Sequence, residues 1–253
     1  GSEMCIRDRL LTALVLTGVG LPIYLYADPR LLLGLLFVLM CFACREYAVI
    51  FSHKGKLWLW GICFLVIFLC IDHYWPVVLW LSIISVMFRV AMMYWYQPQA
   101  LGSREIVSLG VFSLYDLSVF AVSCIGLYAE DKILLLWAVL AIIAIDVCGY
   151  FGGRYFGRVK IIPKVSPNKT LEGYVFGLLG LLVVSFIFLI DHEISILILT
   201  LVMLLVYLLA VIGDLSVSYL KRVLSVKDTG TILPGHGGIV DRLDSWIYVL
   251  PLI

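Results

Sequence analysis

The sequence predicts an all-α, polytopic integral membrane protein of about nine transmembrane helices, the last one short. Three observations carry this expectation. The 253 residues are 63% hydrophobic and only 14% charged, with a mean hydropathy of +1.10, whereas soluble domains carry about 25% charged residues. The apolar residues gather into runs near the ~20 residues that a helix needs to cross a hydrocarbon core. The basic residues between those runs fall almost entirely on alternate sides, as the positive-inside rule requires.

The apolar runs predict spans over 10–26, 31–51, 57–71, 75–96, 106–128, 133–152, 173–190 and 194–213. Arg7 and Arg9 before the first run resemble the start of a signal peptide. The run continues through Tyr24 and Tyr26 without a small-residue cleavage pattern, so it reads as an uncleaved span. A ninth segment starts near Leu243 and stops at Ile253. At about 1.5 Å per residue it is too short for a core of about 30 Å, so it is either cut short or buried among its neighbours.

Loops on the N-terminal side hold Arg7, Arg9, Arg45, Lys54, Lys56, Arg104, Arg154, Arg158, Lys160, Lys164, Lys169, Lys221, Arg222 and Lys227. The opposite loops hold only Arg30 and Lys132. This asymmetry places the N-terminus and the two large loops in the cytoplasm; the expected location is a bacterial inner membrane. No basic stripe lies outside the short loops, which argues against nucleic acid as a partner. The seven cysteines include a Cys41-x-x-Cys44 spacing, but it sits in an apolar helix without companions and reads as core packing. A single membrane domain over 1–253 is expected, with mostly apolar helices over 10–140 and the chemistry in 141–253.

Asp116, Asp146 and Asp214 fall in or at the ends of apolar helices, where a lone carboxylate costs at least about 2.5 kcal/mol. Arg89 meets the same cost, and pairing with Asp116 is the bland account of both. Asp214 reads differently. If its helix continues, Ser218, Lys221 and Arg222 follow at i+4, i+7 and i+8, all on one face. Asp241 and Asp244, with Arg242 between them, repeat the device at a second helix start. Two such helix ends meeting at the cytoplasmic edge suit Mg²⁺ completed by water and substrate phosphate, or two cations in a shared site.

Between them, Pro234, Gly235, His236, Gly237 and Gly238 cannot form a stable helix; the glycines permit positive φ and leave backbone N–H groups free to face an anion. His236 either bridges a backbone turn or touches substrate. A second polar stretch runs from Asp146 through Gly149, Gly153 and Gly157 to Ser166, Lys169, Thr170 and Glu172. Small-residue helix packing accounts for the glycines. The Lys169-Thr170 pair is a candidate for substrate phosphate, but no strand and no preceding glycines make it a Walker site.

These residues carry a resemblance to the phosphatidate cytidylyltransferases, or CDP-diacylglycerol synthases. The signature Ser-x-x-Lys-Arg-x4-Lys-Asp-x-Gly is matched by Ser218, Lys221, Arg222, Lys227, Asp228 and Gly230. The following Pro-Gly-His-Gly-Gly-x-x-Asp-Arg-x-Asp is matched from Pro234 to Asp244. The upstream pattern from Asp146 to Gly173 is also present, with Leu171 where the family usually has Trp. The resemblance implies condensation of CTP with phosphatidic acid, a membrane lipid, giving CDP-diacylglycerol and pyrophosphate for phospholipid synthesis. It implies Mg²⁺ with K⁺ as a second cation, and a homodimer.

On that resemblance Asp214, Asp241, Lys221, Arg222 and Arg242 are the expected catalytic residues. Asp214 and Asp241 would hold Mg²⁺, with Asp244 and Asp146 in the same metal set. Ser218, Lys169, Thr170, Ser166, Lys227, His236, Gly237 and Gly238 are expected at the substrates. The lipid phosphate is already ionised at neutral pH, so the chemistry needs positioning and charge neutralisation rather than a strong base. A polytopic transporter of an organic anion is the alternative; it predicts polar groups at mid-membrane and related halves.

Overall fold

The computed structural model describes residues 29–51, 75–96, 101–163, 165–166, 168–189, 195–230 and 237–253. The expected spans 10–26 and 57–71, and the residues His236 and Lys164, lie outside the described residues. Among the described residues the protein is all-helical, with an isolated β-bridge between Lys160 and Thr170. The helices are α1 (Pro29–Ile50), α2 (Trp75–Trp95), α3 (Ser103–Glu130), α4 (Lys132–Phe156), α5 (Leu171–Leu189) and α6 (Ile196–Val223). Two four-residue helices follow, α7 (Val240–Leu243) and α8 (Trp246–Val249), and then a 3₁₀ turn over Leu250–Leu252.

Four of these, α3 to α6, are long and apolar enough to cross a membrane. Their outward surface is apolar too, with Val183, Phe186 and Leu204 all exposed. A contiguous apolar exterior of this kind suits lipid and not water. In the terminal segment Ile247, Tyr248, Val249 and Leu250 are buried among the longer helices.

Local chemistry sets the joints. Asp131 alone separates α3 from α4; its carboxylate accepts the N–H groups of Ile133 and Leu134 at 2.9 Å each, capping α4. Helices α4 and α5 press together through small residues. A Cβ on Gly149 would stand 3.3 Å from the Gly173 carbonyl, and one on Gly177 would stand 3.0 Å from the Ile145 carbonyl. Only glycine lets two backbones approach this closely.

Polar ties cross the apolar interior. Arg89 of α2 and Asp116 of α3 form a buried ion pair at 2.9 Å, as the sequence suggests. Ser85 donates to Asp116 at 2.7 Å, and Arg89 donates to the Ser113 hydroxyl at 3.0 Å. The Tyr219 hydroxyl of α6 donates to the Met92 carbonyl at 3.2 Å, and that of Tyr207 to the Tyr174 carbonyl at 2.6 Å. These bonds fix α6 against α2 and α5, and α6 is the helix that carries Asp214.

Candidate active site

A cavity of about 670 Å³ opens where the C-terminal parts of α4 and α6 meet the start of α5 and the α7 segment. Its lining includes Asp146, Lys169, Thr170, Asp214, Lys221, Asp241, Arg242 and Asp244. Residues separated by almost a hundred positions are thus brought to one space.

Helix α6 supplies the first wall. It runs past Asp214 to Val223, so Asp214 and Lys221 share a face, about 20° apart at 100° per residue. Ser218 is turned away by about 40° and Arg222 by about 80° on the same geometry. Accordingly Ser218 and Arg222 are not among the lining residues. Arg222 points instead to the loop after α4, donating through Nε to the Val165 carbonyl at 3.2 Å.

That loop folds back as a narrow hairpin. Leu171 N–H donates to the Val159 carbonyl at 2.9 Å, and the Glu172 carboxylate accepts the Arg158 N–H at 3.0 Å. Thr170 accepts the Gly173 N–H at 3.2 Å and so caps α5. The hairpin delivers Lys169 to Asp214, with which it forms an ion pair. Burial alone would lower the Lys169 ammonium, but the Asp214 carboxylate outweighs it and holds the group above the usual lysine range. Ser166 is half-buried in this loop and its carbonyl accepts the Lys169 N–H, so it shapes the hairpin without lining the cavity.

The second wall is the α7 segment. It lies close on α6 because Gly213 has no side chain; a Cβ there would stand 2.9 Å from the Tyr248 ring and 3.1 Å from Ser245 Cα. Ser245 also donates to the Ala210 carbonyl at 3.2 Å. Asp244 is thereby set against Asp214 and Asp146. Burial, and then the charges of those two carboxylates, push Asp244 well above the usual carboxylate range.

Asp241 has a different environment. Lys221 donates to its Oδ1 at 2.7 Å, while Oδ2 accepts the Thr229 N–H at 2.7 Å, the Thr229 hydroxyl at 2.9 Å and the Gly238 N–H at 3.1 Å. Burial alone would raise Asp241. The Lys221 ammonium and the two backbone donors prevail and hold it below the usual range. Gly237 lies beside it at φ +80°, a conformation that favours glycine. Gly237 and Gly238 form the turn and do not line the cavity, and Lys227 is exposed outside it.

The donor set can be tested against a divalent cation. Asp146, Asp214 and Asp244 border one cavity and repel one another, which a cation would relieve. Among the described residues, no group of three or more His, Cys, Asp or Glu could by itself hold a metal ion. A cation that takes only one or two carboxylates and completes its shell with water and substrate phosphate needs no such group.

Several residues at the site escape the sequence reading. Tyr150 and Arg154 both line the cavity and are joined at 3.0 Å, and Asn168, Tyr174, Tyr207 and Asp228 line it as well. Glu46 of α1 is buried and bonded to the α7 segment. Its signal was present: a lone acid in an apolar run is costly and marks a partner elsewhere.

The description "Cytidylyltransferase family" belongs to the family model that matches residues 7–253. A protein of Staphylococcus haemolyticus named phosphatidate cytidylyltransferase is 37% identical over 186 residues, covering 69% of this chain and 70% of its own length. One of the same name from Staphylococcus saprophyticus is 39% identical over 147 residues, 56% of each chain. Another, from Staphylococcus aureus strain COL, is 34% identical over 181 residues, with 69% and 70% covered.

Proposed function

The chain belongs to the cytidylyltransferase family, and we propose that it transfers the cytidylyl group of CTP to phosphatidic acid. A phosphate oxygen of the lipid forms a bond to the α-phosphorus of CTP. The bond from that phosphorus to the bridging oxygen breaks, and pyrophosphate leaves with the electron pair. The products are CDP-diacylglycerol and pyrophosphate. The observation that carries this reading is the cavity at the end of apolar helices that combines Asp146, Asp214 and Asp244 with Lys169, Lys221 and Arg242. Nothing in the comparisons supports a transporter.

Mg²⁺, when bound at one or two of Asp146, Asp214 and Asp244, would offset negative charge on the triphosphate. The chain's own residues do the rest. Lys169 exchanges Asp214 for a substrate phosphate, and its hairpin carries it there. Lys221 and Arg242 face the same space and neutralise charge on the departing pyrophosphate. Asp241, which the family resemblance counts among the metal ligands, orients Lys221 through their 2.7 Å contact. Arg222 and Ser166 hold the hairpin beside the site. Thr170, fixed as the α5 cap, presents its hydroxyl to the cavity. K⁺ as a second cation and a homodimer rest on the family resemblance. The distribution of basic residues supports a cytoplasmic face for the cavity, in a bacterial inner membrane, with lipid entering from the bilayer side.

The test is direct. Purified protein with radiolabelled CTP is expected to form a labelled lipid only when phosphatidic acid and Mg²⁺ are both present. Uptake of label into sealed vesicles without lipid product would overturn the reading.

A further inference from the structure

We infer that Glu46 of α1 is a positioning residue for Asp241, acting through the glycine turn and Thr229 without touching substrate. This rests on the reading of Asp241 as an active-site carboxylate. Glu46 is only 3% exposed. Its Oε1 accepts the Ile239 N–H at 2.9 Å and its Oε2 the Val240 N–H at 3.0 Å. The Thr229 hydroxyl reaches the same Oε2 at 3.2 Å. Successive N–H groups converging on an anion form the kind of concave backbone site that takes phosphate. Here the anion comes from the chain itself, 193 and 194 residues away in sequence.

The same contact accounts for two glycines. A Cβ on Gly238 would stand 2.6 Å from Glu46 Oε2, and one on Gly230 would stand 2.7 Å from Glu46 Cδ. No side chain at either position leaves room for the carboxylate. The turn therefore closes around Glu46, and its N–H groups at 239 and 240 are spent on that side chain.

Thr229 carries the effect onward. Its hydroxyl stands between two carboxylates, 2.9 Å from Asp241 Oδ2 and 3.2 Å from Glu46 Oε2. The Thr229 and Gly238 N–H groups donate to the same Asp241 oxygen. Glu46 thus holds both backbone segments that fix the Asp241 side chain, and Asp241 Oδ1 is left to hold Lys221. A misplacement of about 1 Å in such a group costs about 10²-fold in rate.

The experiment measures turnover of CTP to lipid product by the full chain in detergent, alongside thermal melting of each variant. Thr229→Val removes the hydroxyl at nearly constant shape, whereas Thr229→Ser keeps it. Thr229→Val is expected to lower kcat by about 10- to 10²-fold with KM for CTP within about threefold, and Thr229→Ser to stay within about threefold of the parent. Glu46→Gln, which sets an amide against N–H donors, is expected to lower kcat by about 10²-fold with little change in KM. The reverse order at Thr229, with Val active and Ser defective, would show that only the methyl packs there and would overturn the inference. Full activity in folded Glu46→Gln would do so too. If Glu46→Gln does not melt cooperatively, the Thr229 pair decides. Asp241→Asn separates the two levels: an active variant removes Asp241 from the site altogether, whereas an inactive one beside active Glu46→Gln sinks only the role of Glu46.

Discussion

Tyr248 donates its hydroxyl to Asp116 Oδ2 at 3.1 Å, so the last helix is tied to the ion pair buried between α2 and α3. The Arg89 guanidinium also lies over the Tyr248 ring, 5.7 Å from its centroid. The segment bearing Asp241 and Asp244 is therefore anchored twice, by Glu46 at its start and by Asp116 near its end. Neither anchor lines the cavity. Each sets where the site carboxylates sit.

Asp116→Ala would leave Arg89 buried without its counter-charge and Tyr248 without its acceptor. Breaking a buried pair from one side costs about 3–5 kcal/mol. The expected outcome is a clearly lower melting temperature in detergent. An unchanged melt would show that the network adds nothing to stability.

Gly213→Ala tests the close approach of α6 and the terminal segment. The added methyl would stand 2.9 Å from Tyr248 and 3.1 Å from Ser245 Cα, so Asp244 must move away from Asp214. Turnover is expected to fall by at least about tenfold, with helical content by circular dichroism preserved. Wild-type kinetics in this variant would mean that the segment yields without disturbing the site.

Lys169→Met removes the partner of Asp214 and, on the proposed chemistry, a phosphate contact. We expect kcat/KM to drop by about 10- to 10²-fold, which corresponds to about 1.4–2.7 kcal/mol of transition-state binding. Steady-state kinetics in CTP and in phosphatidic acid would show which substrate loses the contact. Equal constants for both substrates would remove Lys169 from the site.

Chelation with EDTA should abolish turnover, and added Mg²⁺ should restore it. Asp214→Asn is expected to raise the Mg²⁺ concentration needed for half-maximal rate, because a neutral amide is a poorer ligand for a hard cation. Full activity after exhaustive chelation would exclude the metal from the proposed mechanism.

Much of the architecture is legible in the residues because hydropathy is a local property. The apolar runs near 31–51, 75–96, 106–128, 133–152, 173–190 and 194–213 all become helices, although α3, α4 and α6 run longer than their apolar cores. Their ends are polar, so a criterion of hydropathy alone stops short of them. Asp214 and Lys221 could be placed together from helical spacing alone. Arg222 could not be read correctly that way, since one residue's rotation moved it to the Val165 carbonyl.

Chain order and composition thus determined the class of protein, its membrane character and the charged stretches that carry the chemistry. Tertiary structure decided which carboxylate does what. Asp241 is wrapped by donors from Lys221, Thr229 and Gly238, whereas Asp214 and Asp244 face each other across the α6 contact at Gly213. It also decided that the N–H groups of the turn after Gly238 face Glu46, a residue from the far end of the chain. Spacing can place neighbours on one helix face. It carries no information on how two helices 193 residues apart approach, because that distance is set by packing of the whole interior.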